Sequence, residues 1–193
     1  MKLPFQPKSS KPRVFLNAAG LYEYAVKSLG RSMRSEADLR RLLARRAEPG
    51  EPGRALIASV VARLKEMRYL DDQSFAETYV RLRQENEKLG ARRVRQDLRQ
   101  KGVGAGLIDA AVQARYAAVN EETLARAFLE RKRLGKPENE KETARLMRRL
   151  VAAGFSTGVI SKILRQWEVP DEALSALDNL DEGETPGQQS RRE

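Results

Sequence analysis

The sequence predicts an all-α protein, an elongated tandem array of three three-helix repeats with about nine helices. Three observations carry this. Helix formers dominate residues 17–167, and the period-two alternation of half-buried strands is almost absent. A short pattern of an apolar residue, Asn or Asp, three mostly small or polar residues and a second apolar residue occurs three times. Its copies are Leu16-Asn17 to Leu21, Leu70-Asp71 to Phe75 and Val119-Asn120 to Leu124, spaced 54 and 49 residues apart. After each copy comes an apolar pair one helical turn apart: Leu39 and Leu43, Val94 and Leu98, Leu146 and Leu150. Units this short bury their apolar faces partly against neighbours, which favours an array over the alternative of a compact nine-helix globule.

Each copy of the pattern meets the needs of a helix start. The Asn or Asp side chain accepts from the unpaired N–H groups of the first turn, and the flanking apolar residues can close as a staple. First helices are therefore expected at about 17–29, 71–87 and 120–134. The adjacent carboxylates Asp71 and Asp72 invite a metal or acid–base reading. Neighbours on a helix diverge by about 100°, however, and the matching positions Asn17 and Asn120 keep the acceptor without the charge. Asp71 is thus read as a cap, stapled by Leu70 and Phe75, and Asp71→Ala should cost about 1 kcal/mol.

Second helices are expected at 35–47, 91–101 and 139–153. Two of them end at Lys101-Gly102-Val103 and Ala153-Gly154-Phe155, where glycine suits the left-handed position beyond a helix. Third helices follow at 54–67, 104–118 and 156–167, the last two capped by Gly104 and Ser156. Before the helix at 54 the first unit inserts a loop, EPGEPG, at 48–53. Pro170 ends the last helix, although DEALSALDNL could extend it. The expected organisation is a basic flexible leader (1–16), repeats at 17–69, 70–118 and 119–170, and an acidic, largely disordered tail (171–193).

The chain contains no Cys and no His, which excludes disulfides, thiolate or imidazole metal sites and His-dependent catalytic triads. No catalytic, cofactor or metal residue is assigned. KGVGAG at 101–106 follows a helix and lacks the lysine ending of a phosphate loop. No apolar run approaches the ~20 residues that span a bilayer, and the first residues lack a secretory apolar core.

Charge is the informative property. The net charge is +10. Residues 17–167 carry 31 basic and 19 acidic groups, whereas residues 168–193 carry two and eight. A basic body with an acidic tail calls for an anionic partner. Arg92, Arg95 and Arg99 fall on one face of the second helix of repeat two, with Arg93 beside it and Lys101 near its end. Asp97 is the only acid on that helix. Arg40, Arg41 and Arg45 occupy the equivalent helix of repeat one, and Arg145, Arg148 and Arg149 that of repeat three. Arg81 and Arg83 add charge on the first helix of repeat two. Tyr22, Tyr24, Tyr79, Phe128 and Trp167 fall beside apolar residues and are read as core or inter-unit residues.

The organised stretches resemble the RecX family. The resemblance covers about residues 20–167 and rests on AVKSLGRSMRSEADLRRLL, LKEMRYLDDQSFAETYVRLR, GARRVRQDLRQKGV and AAGFSTGVISKIL. Its most specific part is Tyr69-Leu-Asp-Asp, Phe75-Ala76 and Tyr79 followed by Gly90, Arg93, Leu98, Lys101 and Gly102. The resemblance implies a cytoplasmic, non-enzymatic, monomeric regulator built of three-helix repeats. It implies binding in the groove of the RecA–single-stranded DNA filament, limiting filament growth, ATP hydrolysis, strand exchange and co-protease activity. Single-stranded DNA is a further expected partner, and a membrane is not. The leader, the tail and the EPGEPG insertion depart from the family pattern. The competing reading is a direct DNA binder of the helix-turn-helix type, which usually dimerises.

Overall fold

A computed structural model describes residues 14–174, and these form ten α-helices. The chain divides into two compact units, residues 1–71 and 72–193. The first thirteen residues of the expected leader, and the expected tail from residue 175, lie outside the described residues. No described helix is long and apolar enough to cross a membrane.

The first unit holds α1 (Ala18–Arg31), α2 (Glu36–Ala44) and α3 (Glu51–Glu66). Asn17 starts α1 as expected, its Oδ1 accepting from the Gly20 N–H at 2.9 Å. Ser35 does the same for α2, accepting from the Asp38 N–H at 3.1 Å while fully buried. Leu21, Ala25, Leu39, Leu43, Ile57, Val61, Leu64 and Leu70 close the core. A fully buried leucine contributes about 1.5–3 kcal/mol, so the apolar pair Leu39 and Leu43 is a main tie of α2 to its neighbours.

The EPGEPG stretch corrects the sequence reading. It is not a loop through residue 53, because α3 already begins at Glu51. Pro52 lies in the first turn, where its missing N–H would have no intrahelical partner anyway. Gly50 takes a φ of 99° and admits the turn. A Cβ on buried Gly53 would stand 1.8 Å from the Glu48 carbonyl oxygen, so this glycine permits a close approach of backbone.

The second unit contains α4 (Asp72–Glu87), α5 (Ala91–Gln100), α6 (Ala105–Tyr116), α7 (Glu121–Arg131), α8 (Glu140–Ala152), α9 (Thr157–Gln166) and the single turn α10 (Asp171–Leu174). Phe75, Val80, Val94, Leu98, Ile108 and Val112 form a core among α4–α6. A second core gathers Phe128, Leu146, Met147, Leu150, Phe155, Ile160 and Leu164, and Val169 and Leu174 extend it to α10. There Phe128 meets Phe155 edge to face at 5.6 Å, a favoured aromatic geometry. Leu89 and Tyr116 pack against both cores.

Local chemistry sets these boundaries. Asn120 accepts from the Thr123 N–H at 3.0 Å and Ser156 from the Val159 N–H at 3.4 Å, as the sequence predicts. Gly102 and Gly154 take φ values of 74° and 90° beyond α5 and α8, in the left-handed region that glycine enters without Cβ strain. One expectation fails here. Leu70 joins the core of the first unit and Phe75 the α4–α6 core, so the expected staple over the start of α4 is divided between cores. Leu70 directly follows the turn that ends α3, where that core still needs closing. The last long helix ends at Gln166, within one residue of the expected end, and the chain turns at Glu168 with a φ of 58° before it reaches Pro170.

Candidate functional site

The ten basic residues singled out by sequence in the first two repeats differ in what they contact. On α2, Arg40 pairs with Glu36 at 2.9 Å and Arg41 with Asp38 at 2.7 Å, both within one helical turn. Arg45 caps the C-terminal end of α2, exposed and with no side-chain partner among the described residues. Lys65 of α3 also reaches Glu36, at 2.8 Å. That hydrogen bond, with the Arg40 charge, holds the Glu36 carboxyl below the usual carboxylate range despite partial burial.

In the second unit the residues from α4 and α5 meet around Tyr79. The Tyr79 ring stacks on Phe75 with centroids 5.8 Å apart, and its hydroxyl donates to Asp97 Oδ2 at 3.1 Å. The Arg83 guanidinium covers the ring at 4.7 Å from its centroid while also pairing with Glu87. Lys101 Nζ stands 5.4 Å from the same centroid. Burial, and then the Asp97 charge, push the Tyr79 phenol above its ordinary value. Arg83 turns toward this cluster. It folds back because an aromatic face and a carboxylate lie within reach of one side chain.

The expected one-signed face of α5 is therefore partly neutralised. Arg93 pairs with Asp97 at 2.9 Å. Arg95 faces Asp109 of α6 at 3.6 Å, a carboxylate that the sequence of α5 alone could not reveal. Arg81 pairs with Glu85 at 3.4 Å on α4. Arg92 and Arg99 are exposed, and Arg99 has no side-chain partner among the described residues. Exposed ion pairs contribute about 0–1 kcal/mol, so an anionic partner could exchange for these carboxylates.

Arg93 has a second role. Its Nη1 donates to the Ala152 carbonyl at 3.5 Å, and the Gly90 N–H donates to the Ala153 carbonyl at 2.8 Å. A Cβ on Gly90 would stand 2.2 Å from the Gly154 carbonyl oxygen, and one on Gly154 2.3 Å from the Arg93 nitrogen. Gly90 and Arg93, spaced three apart in sequence, thus seat the start of α5 on the end of α8. The spacing is visible in the sequence, and the partner is not.

A hollow of about 290 Å³ lies between the turn after α7 and the flank of α8, lined by residues that include Arg133, Lys136, Glu142, Arg145 and Arg149. The sequence singles out Arg145 and Arg149 but not Arg133, whose one signal is the run Arg131-Lys132-Arg133 at the end of a helix. Among the described residues, no group of three or more acidic side chains is placed to hold a metal ion.

Comparison with known proteins bears on these geometries. Residues 71–112 match the family profile described as RecX, second three-helix domain. The chain is 34% identical to the regulatory protein RecX of Thermobifida fusca over 73% of this chain and 75% of that protein. It is 28% identical to the regulatory protein RecX of Oceanobacillus iheyensis over 78% of this chain, and the match spans about half of that relative, 54% of its length. The crystal structure of RecX from Lactobacillus salivarius shares the fold, with a TM-score of 0.57 at 18% identity over 78% of this chain and 96% of that one.

Proposed function

The chain belongs to the RecX family of regulatory proteins, and from that premise we propose that it regulates the RecA recombinase without catalysing a reaction. It binds in the groove of the RecA–single-stranded DNA filament as a monomer in the cytoplasm. There it limits filament growth, and with it ATP hydrolysis, strand exchange and co-protease activity. The observation that carries this reading is the 34% identity over three quarters of a regulatory RecX protein.

A physical route is at hand. Arg99 on α5 and Arg45 at the C-terminal end of α2 present exposed cations to acidic protein surface or phosphate, and Arg92 is exposed on the same helix as Arg99. Arg40, Arg41, Arg81, Arg83, Arg93, Arg95 and Lys101 are held by carboxylates or by Tyr79, and they reach a partner by exchanging those contacts. Several weak contacts carried on one chain raise overall avidity through effective concentration. Such binding weakens with salt.

Titration of the protein into RecA on single-stranded DNA tests the proposal. Loss of ATP hydrolysis and strand exchange at or below equimolar protein is expected. If neither activity changes, the regulatory reading is wrong. Full inhibition by an Arg92→Glu/Arg99→Glu variant would remove the α5 contact and leave the regulation standing.

A further inference from the structure

We propose that the hollow between the turn after α7 and α8 is a phosphate-gripping site for the backbone of single-stranded nucleic acid, with Arg133, Arg145 and Arg149 as its clasp. Such a site does not depend on RecA, and no residue of α5 lines it.

The hollow gathers positive charge from two elements. Arg145 and Arg149 are exposed, one helical turn apart, and line it together. Arg133 enters from the turn after α7, at a φ of 52°. That left-handed position is the one glycine fills after α5 and α8. None of the three guanidiniums has a carboxylate partner among the described residues. Lys136 is engaged by Glu168 at 3.1 Å and stays outside the clasp. Glu142 lines the hollow too, but its Oε2 accepts from the Glu138 N–H at 3.0 Å, which fastens it to the start of α8. Three planar forks against one fastened carboxylate suit phosphate oxygens, which accept paired N–H bonds.

The surroundings select a polymer over a small anion. Arg131 and Lys132 are exposed just before Arg133, and Lys141 and Arg148 are exposed on α8, again without carboxylate partners among the described residues. Positive charge thus continues on residues that flank the lining in sequence on both elements, as a chain of phosphates requires and a single ion does not. No aromatic residue lines the hollow, so it lacks the stacking platform that reads or grips bases. Recognition should therefore ignore sequence and depend strongly on salt.

Fluorescence anisotropy of the full-length chain with a labelled, mixed-sequence single-stranded oligonucleotide, without RecA, tests the site. An Arg145→Gln/Arg149→Gln variant should bind at least about tenfold more weakly, with a log–log salt slope shallower by roughly 0.7 for each phosphate no longer gripped. Arg145→Lys/Arg149→Lys should keep most of the slope and lose affinity. Matching circular dichroism melts confirm that the variants fold, and Arg133→Gln provides a substitution outside α8. Unchanged affinity and slope in all variants would overturn the proposal. Poly-glutamate binding as tightly as the oligonucleotide would overturn the choice of phosphate. Inorganic phosphate binding without any binding of the oligonucleotide would overturn the polymer. If RecA inhibition fails while these results hold, only the regulatory reading falls.

Discussion

Helices α5 and α8 are built alike and charged alike, yet their arginines meet different fates. Both bury an apolar pair one turn apart, Val94 with Leu98 and Leu146 with Leu150. Both end at a glycine of positive φ. On α5, Arg93 and Arg95 find carboxylates, one on the same helix and one on α6. On α8, Arg145, Arg148 and Arg149 find none among the described residues. Repetition of architecture therefore does not carry repetition of charge environment. Apolar spacing fixes the first, while the second depends on which acids the helix itself and its neighbours place within reach.

The largest expected effect tests whether the two helix ends are as alike as their glycines. Gly154→Ala must accept a left-handed backbone and a Cβ pressed against the Arg93 nitrogen. The backbone alone costs roughly 1–2 kcal/mol, and the clash should bring the loss to about 3 kcal/mol or more, read from the urea midpoint at unchanged m-value. Gly102→Ala carries the backbone cost too. Equal losses at both positions would show that the seat of α5 on α8 adds nothing.

Next in size is Tyr116→Phe, which strikes the link between the two cores. The Tyr116 hydroxyl donates to the Leu89 carbonyl at 2.7 Å, and Leu89 packs against both cores. Losing that bond should cost about 1 kcal/mol. Burial raises the phenol well above its ordinary value of 10.0. The neutral phenol therefore contributes stability that is fully present below about pH 10 and is lost as pH rises through the raised value. Tyr116→Phe should flatten that alkaline decline in a pH series of melts. An unaltered decline would assign it to other groups, with half-buried Tyr79 the first to check.

A smaller effect bears directly on charge. Asp109→Asn removes the carboxylate facing Arg95 and makes α5 more like α8. Single-stranded DNA binding should then gain a salt-slope increment of roughly 0.7 if the released guanidinium takes up a phosphate. No change in slope would mean that the α5 face does not touch DNA and serves a protein surface or none.

What is legible in the sequence follows the same division. Asn17, Asn120 and Ser156 start helices as read, because a cap is decided within three residues. The buried pairs follow from spacing alone. The start of α3 is read too late, because Pro52 and Gly53 look like a loop until the Glu48 carbonyl is seen against Gly53. The α5 face reads as open because Asp109 lies fourteen residues beyond Arg95 in the chain and meets it only through packing. Arg133 escapes notice because nothing local sets it beside Arg145 and Arg149.

The smallest effect asks to which side of the comparison the first unit belongs. Glu36 holds both Lys65 and Arg40, and its carboxyl sits below its ordinary value of 4.5. The stability it contributes is present above that ordinary value and lost as pH falls through the depressed one. Screening at this partly exposed pair keeps the contribution within about 1 kcal/mol. Glu36→Gln should therefore lower the melting temperature slightly at neutral pH and leave it unchanged once wild-type Glu36 is protonated. An equal loss at both pH values would point to packing, not charge. The same variant removes the Glu36 contact of both Arg40 and Lys65. If it then binds polyanion more tightly, α2 behaves as a latent α8, with Glu36, alongside the Asp38–Arg41 pair, holding back part of a basic face. If binding is unchanged, the α2 cations serve the helix that carries them.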